Sequence, residues 1–378
     1  MRVFTPFVIN GMRLRNRFVR SATAEGLAAP DGSVTDRLEA AMKALAVGGV
    51  GLVISGHAYV EKRGQAGLGQ MGVHLPAMEA GVARLARCVH AHGGRFVVQL
   101  AHAGCRADPA LSGEPAVGPS APEGADGGAC QAMTAEDLAR LEAAFAAAAA
   151  LCRDAGADGV QIHAAHGYGI SQFLSPRTNR RQGAYGGSLE NRARLLLEIV
   201  GSIRGLVGRD FPLLVKINSE DFLEGGMDAA ESRRVVAWLE TAGVDAVELS
   251  GGTLDSGRLS PVRPGRFPLP EGEAWYREAA RAVKAAGLGI PLALVGGVRS
   301  LETAEELVAS GTADLLALSR PLIREPGLVA RWQSGDRTPS ACLSDNLCFV
   351  PLRRGEGVSC LTEARRKRRD GREADGRA

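Results

Sequence analysis

A (β/α)8 barrel is the fold class the sequence predicts, and three observations predict it. Short β-rich runs alternate with longer Ala/Leu/Arg segments of helical period, the rhythm of βα units. Eight such runs can be placed, the number a closed parallel barrel needs. A G-x-G-x-x-G after the first run, the mark of a doubly wound sheet, is absent. At 378 residues and 39.5 kDa the chain exceeds an average domain, yet it lies within the range of one barrel carrying insertions.

The elements follow in order. Phe7 to Leu14 sets Asn10-Gly11 between apolar residues and predicts a β-hairpin capping the barrel floor. The first strand is expected at Arg17–Thr23, followed by a helix at Asp36–Ala46, and the second pair is Val50–Ala58 with Pro76–His92. The third strand, Arg95–Ala101, runs into a Gly-, Pro- and Ala-rich excursion, Gly104–Gln131, before the helix Ala135–Ala155. Thr134 ahead of Ala135-Glu136-Asp137 is an N-cap with acidic first-turn residues, and Asp154-Ala155-Gly156 closes that helix. Gly159–His163 with Leu189–Leu206 makes the fourth unit, and Leu213–Asn218 with Ala229–Ala242 the fifth. The sixth strand, Ala246–Ser250, leads through a second excursion, Ser256–Gly272, to Glu273–Ala286. Leu292–Gly296, Leu301–Ser310 and Leu315–Ser319 complete the count. Insertions in a barrel follow strand ends, where active sites are built, so both excursions are candidate lids.

Composition excludes several classes. With 45% hydrophobic and 23% charged residues the chain is of globular type, not collagen-like, disordered or a disulfide scaffold. The longest apolar run, Ala143–Cys152, is too short to cross a bilayer, and the start lacks a basic segment leading into an apolar one, so a cytoplasmic protein without membrane contact is expected. The net charge of +3 resides in the tail from Glu363 to Ala378, where seven Lys/Arg meet four Asp/Glu. A neutral body with such a tail argues against nucleic acid as a partner, and the tail is expected to be disordered. Seven scattered cysteines fit reduced thiols. A homo-oligomer is left open.

The end of the fourth strand carries the most chemistry. His163, His166 and Tyr168 follow an apolar strand within six residues, where a barrel builds its site. If a helical turn starts there, the i, i+3 spacing brings both imidazoles to one side to hold one oxygen. A metal pair or a structural pair are the alternatives, and no Glu stands in an H-E-x-x-H position. Gln99 is a lone amide in an apolar strand, and such an amide needs a partner. Lys216, one of only five lysines, interrupts the fifth strand. It reads as one half of a buried salt bridge or as a Schiff-base lysine. Gly296-Gly297 and Ser319-Arg320 end strands seven and eight, where barrels commonly hold phosphate. Ser250-Gly251 after strand six is expected to line the same groove.

The string His163-Ala-Ala-His-Gly-Tyr, Gln172-Phe-Leu-Ser-Pro, Asn179, Arg181 and Tyr185-Gly-Gly-Ser-Leu-Glu-Asn-Arg192 resembles the old yellow enzyme family of FMN-dependent oxidoreductases. The likeness runs from Phe4-Thr-Pro-Phe to Arg320-Pro-Leu-Ile-Arg-Glu-Pro326, and the Cys-bearing C-terminus looks most like the 2,4-dienoyl-CoA reductase and trimethylamine dehydrogenase branch. The resemblance implies FMN at the strand ends and NADH or NADPH as reductant. Hydride would pass from the nicotinamide to flavin N5 and on to the β-carbon of an α,β-unsaturated carbonyl substrate. It implies that His163 and His166 hold the carbonyl oxygen and Tyr168 protonates the α-carbon. It puts Gln99 on the flavin pyrimidine, Lys216 by N1 and the C2 carbonyl, and the phosphate at Gly296, Gly297, Ser319 and Arg320. Ser21, Ala22, Thr23, Ala24 and Gly56 would complete the cofactor contacts.

The sequence also departs from that pattern. The position whose Thr or Cys meets the flavin C4 carbonyl falls on Ala24, which puts the flavin's redox tuning in doubt. Gln161 replaces the strand-four acid, Gly183 an Asp, and Cys105 an Arg. Cys342, Cys348 and Cys360 resemble an iron–sulfur segment, but Asp345 stands where a fourth cysteine belongs, so no metal or cluster is expected. The reading divides the chain into an FMN barrel over 1–336, a Cys-containing extension over 337–362 and the tail. A flavin-free barrel lyase or aldolase using Lys216, an electron-relaying flavoprotein subunit and an amine dehydrogenase-like enzyme are the alternatives.

Overall fold

The computed structural model describes residues 1–121, 130–265, 269 and 271–375. Eight strands form its centre: β1 Phe18–Arg20, β2 Leu52–Ile54, β3 Arg95–Ala101, β4 Gly159–Ala164, β5 Leu213–Asn218, β6 Ala246–Ser250, β7 Leu292–Val295 and β8 Leu315–Leu318. Their order is β2-β1-β8-β7-β6-β5-β4-β3, and a β2–β3 pairing closes the ring with every neighbour parallel. Eight helices pack outside: α1 Asp36–Val47, α2 Glu79–His90, α3 Ala135–Asp154, α4 Leu189–Val207, α5 Ala229–Thr241, α6 Arg277–Ala285, α7 Leu301–Ala309 and α8 Leu328–Gln333. The predicted (β/α)8 barrel is the observed one.

Period-two alternation sorts the strand side chains. Val19, Leu52, Ile54, Val97, Leu214, Ala246, Ala293, Val295, Leu315 and Ala317 form an interior cluster, while the opposite faces pack under the helices in the larger core. The hairpin Phe7–Ile9 and Met12–Leu14 turns at Asn10 (φ 40°) and Gly11 (φ 77°), values that a two-residue hairpin turn demands. Its Ile9, Met12 and Leu14 join the interior cluster, so the hairpin plugs the barrel floor as expected. Thr134 caps α3 in a reciprocal capping box with Asp137.

Several expectations are corrected. The second strand ends at Ile54 because Gly56 leaves the ladder to donate its N–H to Glu25, and Ala58–Tyr59 pairs separately with Leu100–Ala101. Helix α6 begins at Arg277, four residues later than predicted. Upstream, Ala274 is left-handed (φ 54°), and the Glu273 carboxylate accepts the N–H groups of Arg299 and Ser300 ahead of α7. The tail is not wholly disordered: residues Leu361–Asp375 form a helix, with 376–378 outside the described residues. The thiols are not all reduced either, since Cys105 and Cys130 form a disulfide at the base of the first excursion. That excursion holds the short helix Pro109–Ser112 and the strand pair Ala116–Gly118 with Cys130–Ala132, while 122–129 lie outside the described residues. In the second, 266–268 and 270 lie outside them as well. Among the described residues no helix is long and apolar enough to cross a membrane.

Candidate active site

A cavity of about 390 Å³ opens at the C-terminal ends of the strands. Its wall contains Ser21, Ala22, Thr23 and Ala24 after β1, Gln99 on β3, His163 on β4, Lys216 on β5, Ser250 on β6, Gly296 after β7 and Ser319 after β8, with His166 and Tyr168 above them. Most of the predicted site residues therefore converge, although they span nearly 300 positions of sequence.

His163 is the last but one residue of β4, and the chain then turns through His166 (φ 66°) and Gly167 (φ 76°). No helical turn brings the two imidazoles together, contrary to the spacing argument; a left-handed turn does. Non-glycine residues adopt that conformation only when surroundings hold them. Here the Asn218 side chain accepts the His166 N–H at 3.1 Å, and His166 Nε2 lies 2.7 Å from Ser250 Oγ. The His163 and His166 rings stand edge to face with centroids 5.3 Å apart, and Tyr168 is also 5.3 Å from His163. His163 Nδ1 is buried without a partner.

Burial pushes both imidazoles well below their ordinary value, and the Lys216 charge adds to this. They are neutral at physiological pH, and a neutral imidazole still offers one N–H donor. Burial raises the Tyr168 phenol, with Arg106 opposing, so it holds its proton. The cavity can therefore present neutral donors to an oxygen and a phenolic proton beside it. In the floor, Lys216 Nζ meets Glu248 at 2.9 Å and Ser21 Oγ at 2.8 Å. Gln99 Nε2 donates to Gln161 at 2.7 Å, so the replaced strand-four acid is now an amide partner. Thr23 Oγ1 is 2.7 Å from Ser319 Oγ.

Three predicted contacts fall elsewhere, and one stands at the side. A Cβ on Gly56 would lie 1.9 Å from the Glu25 carboxylate, which packs there with Arg20. Gly251 and Gly297 are not in the cavity wall; a Cβ there would lie 2.6 Å from the Tyr276 ring and 2.5 Å from the Trp275 indole, so neither position has room for a side chain. Arg320 flanks the cavity, donating to the Arg263 carbonyl and to Asn346.

Sequence reasoning missed four contributors. His57, just after β2, has its ring 5.6 Å from Tyr168, and burial holds its imidazole down at about 4. Its place after a strand end was a usable signal. Glu248 interrupts a strand as Lys216 does, and that signal was legible too. Phe349 and Leu352 of the short helix Phe349–Arg353 roof the cavity, and nothing in the sequence pointed there. In that extension Asp345 accepts from Thr362 and from the Leu347 N–H, and burial raises Cys348 to about 11. Among the described residues no group of three or more His, Cys, Asp or Glu could hold a metal ion.

Fold and site together define a protein of the barrel class with a cavity at the C-terminal strand ends, walled in part by Gln99 and Lys216. Residues 2–338 match the sequence model of the NADH:flavin oxidoreductase / NADH oxidase family. The metal reductase of Desulforamulus reducens is 35% identical over 376 residues, covering 99% of this chain and 54% of that protein. The NADPH dehydrogenase of Halalkalibacterium halodurans is 35% identical over 326 residues, covering 86% of this chain and 92% of that one. A 2-naphthoyl-CoA reductase solved with 2-naphthoyl-CoA superposes with a TM-score of 0.87 at 28% identity, over 95% of this chain and 56% of that chain. The chain thus belongs to the NADH:flavin oxidoreductase / NADH oxidase family, whose cofactor is FMN and whose reductant is NADH or NADPH. It spans about half the length of the metal reductase and of the 2-naphthoyl-CoA reductase. Membership overturns the flavin-free aldolase alternative, and Lys216 is engaged by a carboxylate instead.

Proposed function

We propose that this chain is a cytoplasmic FMN-dependent NAD(P)H oxidoreductase reducing the activated C=C of small α,β-unsaturated carbonyl compounds. One observation carries the reading: the two neutral imidazoles of His163 and His166 and the protonated phenol of Tyr168 line one cavity. Bound FMN supplies two-electron hydride transfer between nicotinamide and substrate. His163 and His166 hold the carbonyl oxygen and stabilise the charge that gathers on it, and Tyr168 gives its proton to the α-carbon. Gln99 and Lys216 would hold the pyrimidine edge of FMN, Ser21 to Ala24 would lie along the ring, and Gly296, Ser319 and Arg320 would take the phosphate. The purified protein is expected to be yellow, to release about one FMN per chain on denaturation, and to oxidise NAD(P)H with an enone under anaerobic conditions. A colourless protein that cannot be reconstituted with FMN would sink the proposal.

A further inference from the structure

Five side chains form a connected polar layer immediately above the apolar plug of the barrel. Gln99, Gln161, Lys216, Glu248 and Ser21 are each no more than 3% exposed. Strand register sets Gln99 beside Gln161 and Lys216 beside Glu248, all pointing inward. Glu248 is the hub. Its Oε1 accepts from Lys216 Nζ at 2.9 Å and from Ser21 Oγ at 2.5 Å, and its Oε2 accepts from Gln161 Nε2 at 2.9 Å. Gln161 Oε1 in turn accepts from Gln99 Nε2 at 2.7 Å.

The direction of this chain is forced. Burial alone would raise the Glu248 carboxyl, but Lys216 and the hydrogen bonds from Lys216, Ser21 and Gln161 outweigh it and keep the group ionised. An ionised carboxylate only accepts, so Gln161 must turn its NH₂ toward Glu248 and its carbonyl toward Gln99. Gln99 must then give one N–H to Gln161, which leaves its carbonyl and its second N–H for the cavity. A glutamine so oriented offers an acceptor and a donor side by side, complementary to the N–H and carbonyl of a flavin pyrimidine. The same carboxylate also cancels part of the Lys216 charge.

We propose that Glu248 is a positioning residue of the cofactor site: through Gln161 it sets which way the Gln99 amide faces, and on Lys216 it tempers the positive charge presented to bound FMN. The proposal rests on the reading that Gln99 and Lys216 meet the pyrimidine edge. In Glu248→Gln the Lys216 ammonium and the Ser21 hydroxyl keep the amide carbonyl on their side, so the new NH₂ faces the NH₂ of Gln161, a conflict relieved when Gln161 and Gln99 both turn over. Gln99 then presents a donor where an acceptor is needed, and Lys216 is left uncompensated.

The test is titration of the apoprotein with FMN, followed by titration of the FMN-saturated protein with sulfite, whose flavin adduct is stabilised by positive charge near N1. Glu248→Gln is expected to weaken FMN roughly tenfold, the size of one mismatched hydrogen bond, and to tighten sulfite by a similar factor. Gln161→Leu cuts the relay but spares the ion pair, so it should weaken FMN and leave sulfite affinity unchanged. The double variant Gln161→Glu, Glu248→Gln restores an acceptor for Gln99 but moves the carboxylate off Lys216. It should recover FMN affinity while keeping sulfite tight. The two further variants keep the question decidable if Glu248→Gln alone does not fold. Unchanged FMN and sulfite constants across the set, in a background where the parent binds FMN and reduces enones, would overturn the role of Glu248 without touching the proposed activity. Equal loss of FMN in Glu248→Gln and the double variant would overturn the relay.

Discussion

His163 and His166 illustrate how burial assigns a chemical role. In water an imidazole is partly protonated near neutrality; here desolvation keeps both neutral, so each ring retains one N–H and carries no charge. On the proposed function, His163→Ala or His166→Ala should slow the enone half-reaction about 10²–10³-fold while FMN stays bound, the usual cost of one oxyanion donor. Stopped-flow reoxidation of the prereduced protein measures this, and a rate unchanged in both variants would remove the histidines from the mechanism. His102 makes a second prediction at this scale. Burial, with Arg63 and Arg140 adding to it, lowers its imidazole to about 4, below the ordinary 6.5. Because the folded state resists the proton that the unfolded chain accepts, its contribution is whole above about 6.5 and is lost as pH falls toward about 4. His102→Asn keeps an acceptor for the Gly104 N–H, now met by His102 Nδ1. The urea midpoint of that variant should therefore fall less steeply between these pH values than the parent's, and parallel curves would refute the assignment.

At the scale of elements, the motif string after β4 is mostly a set of staples for irregular backbone. Asn179 donates to the carbonyls of Phe173 and Tyr185, Arg181 to those of Pro119 and Met133, and Gln172 to that of Gly167. Each satisfies carbonyls that no sheet or helix can reach, the requirement on any buried loop. Arg192 on α4 joins the Leu174 carbonyl to Glu231 of α5. Its replacement by Ala strips a nearly buried guanidinium from both, and should cost about 2–4 kcal/mol of unfolding free energy. The loop it anchors carries Tyr168 at its start, so activity should fall with stability. Denaturant unfolding with an unchanged midpoint would show that the contact is idle.

For the whole molecule, closure works from both ends. The hairpin seals the floor with apolar side chains, and the C-terminal extension lays Phe349 and Leu352 against the mouth. On the proposed function Phe349→Ala removes an apolar wall worth about 1.5–3 kcal/mol. It should raise the KM for enones about tenfold or more and change the rate of flavin reduction by NAD(P)H less. Identical kinetic constants in variant and parent would take the extension out of the site.

The βα rhythm, the count of eight, the hairpin, the strand positions of Gln99, His163 and Lys216 and the place of Ser319 at the end of the eighth strand were all legible in the sequence. Local periodicity reports which face of a strand is buried, and a polar residue breaking an apolar run has few places to go. The motif string also carried the family. What the sequence did not disclose is how separated residues meet. Glu248 becomes the partner of Lys216 only when β5 and β6 lie in register, and Gln161 becomes a relay only because Gln99 stands beside it. The fold lays Tyr276 against Gly251 and Trp275 against Gly297, neighbours that no pattern along the chain discloses. Cys105 and Cys130, 25 residues apart, pair because the first excursion folds back on itself. The reason is common to all of these: sequence pattern encodes the environment of each residue along its own element, whereas partner identity depends on register and loop path, which only the closed barrel decides.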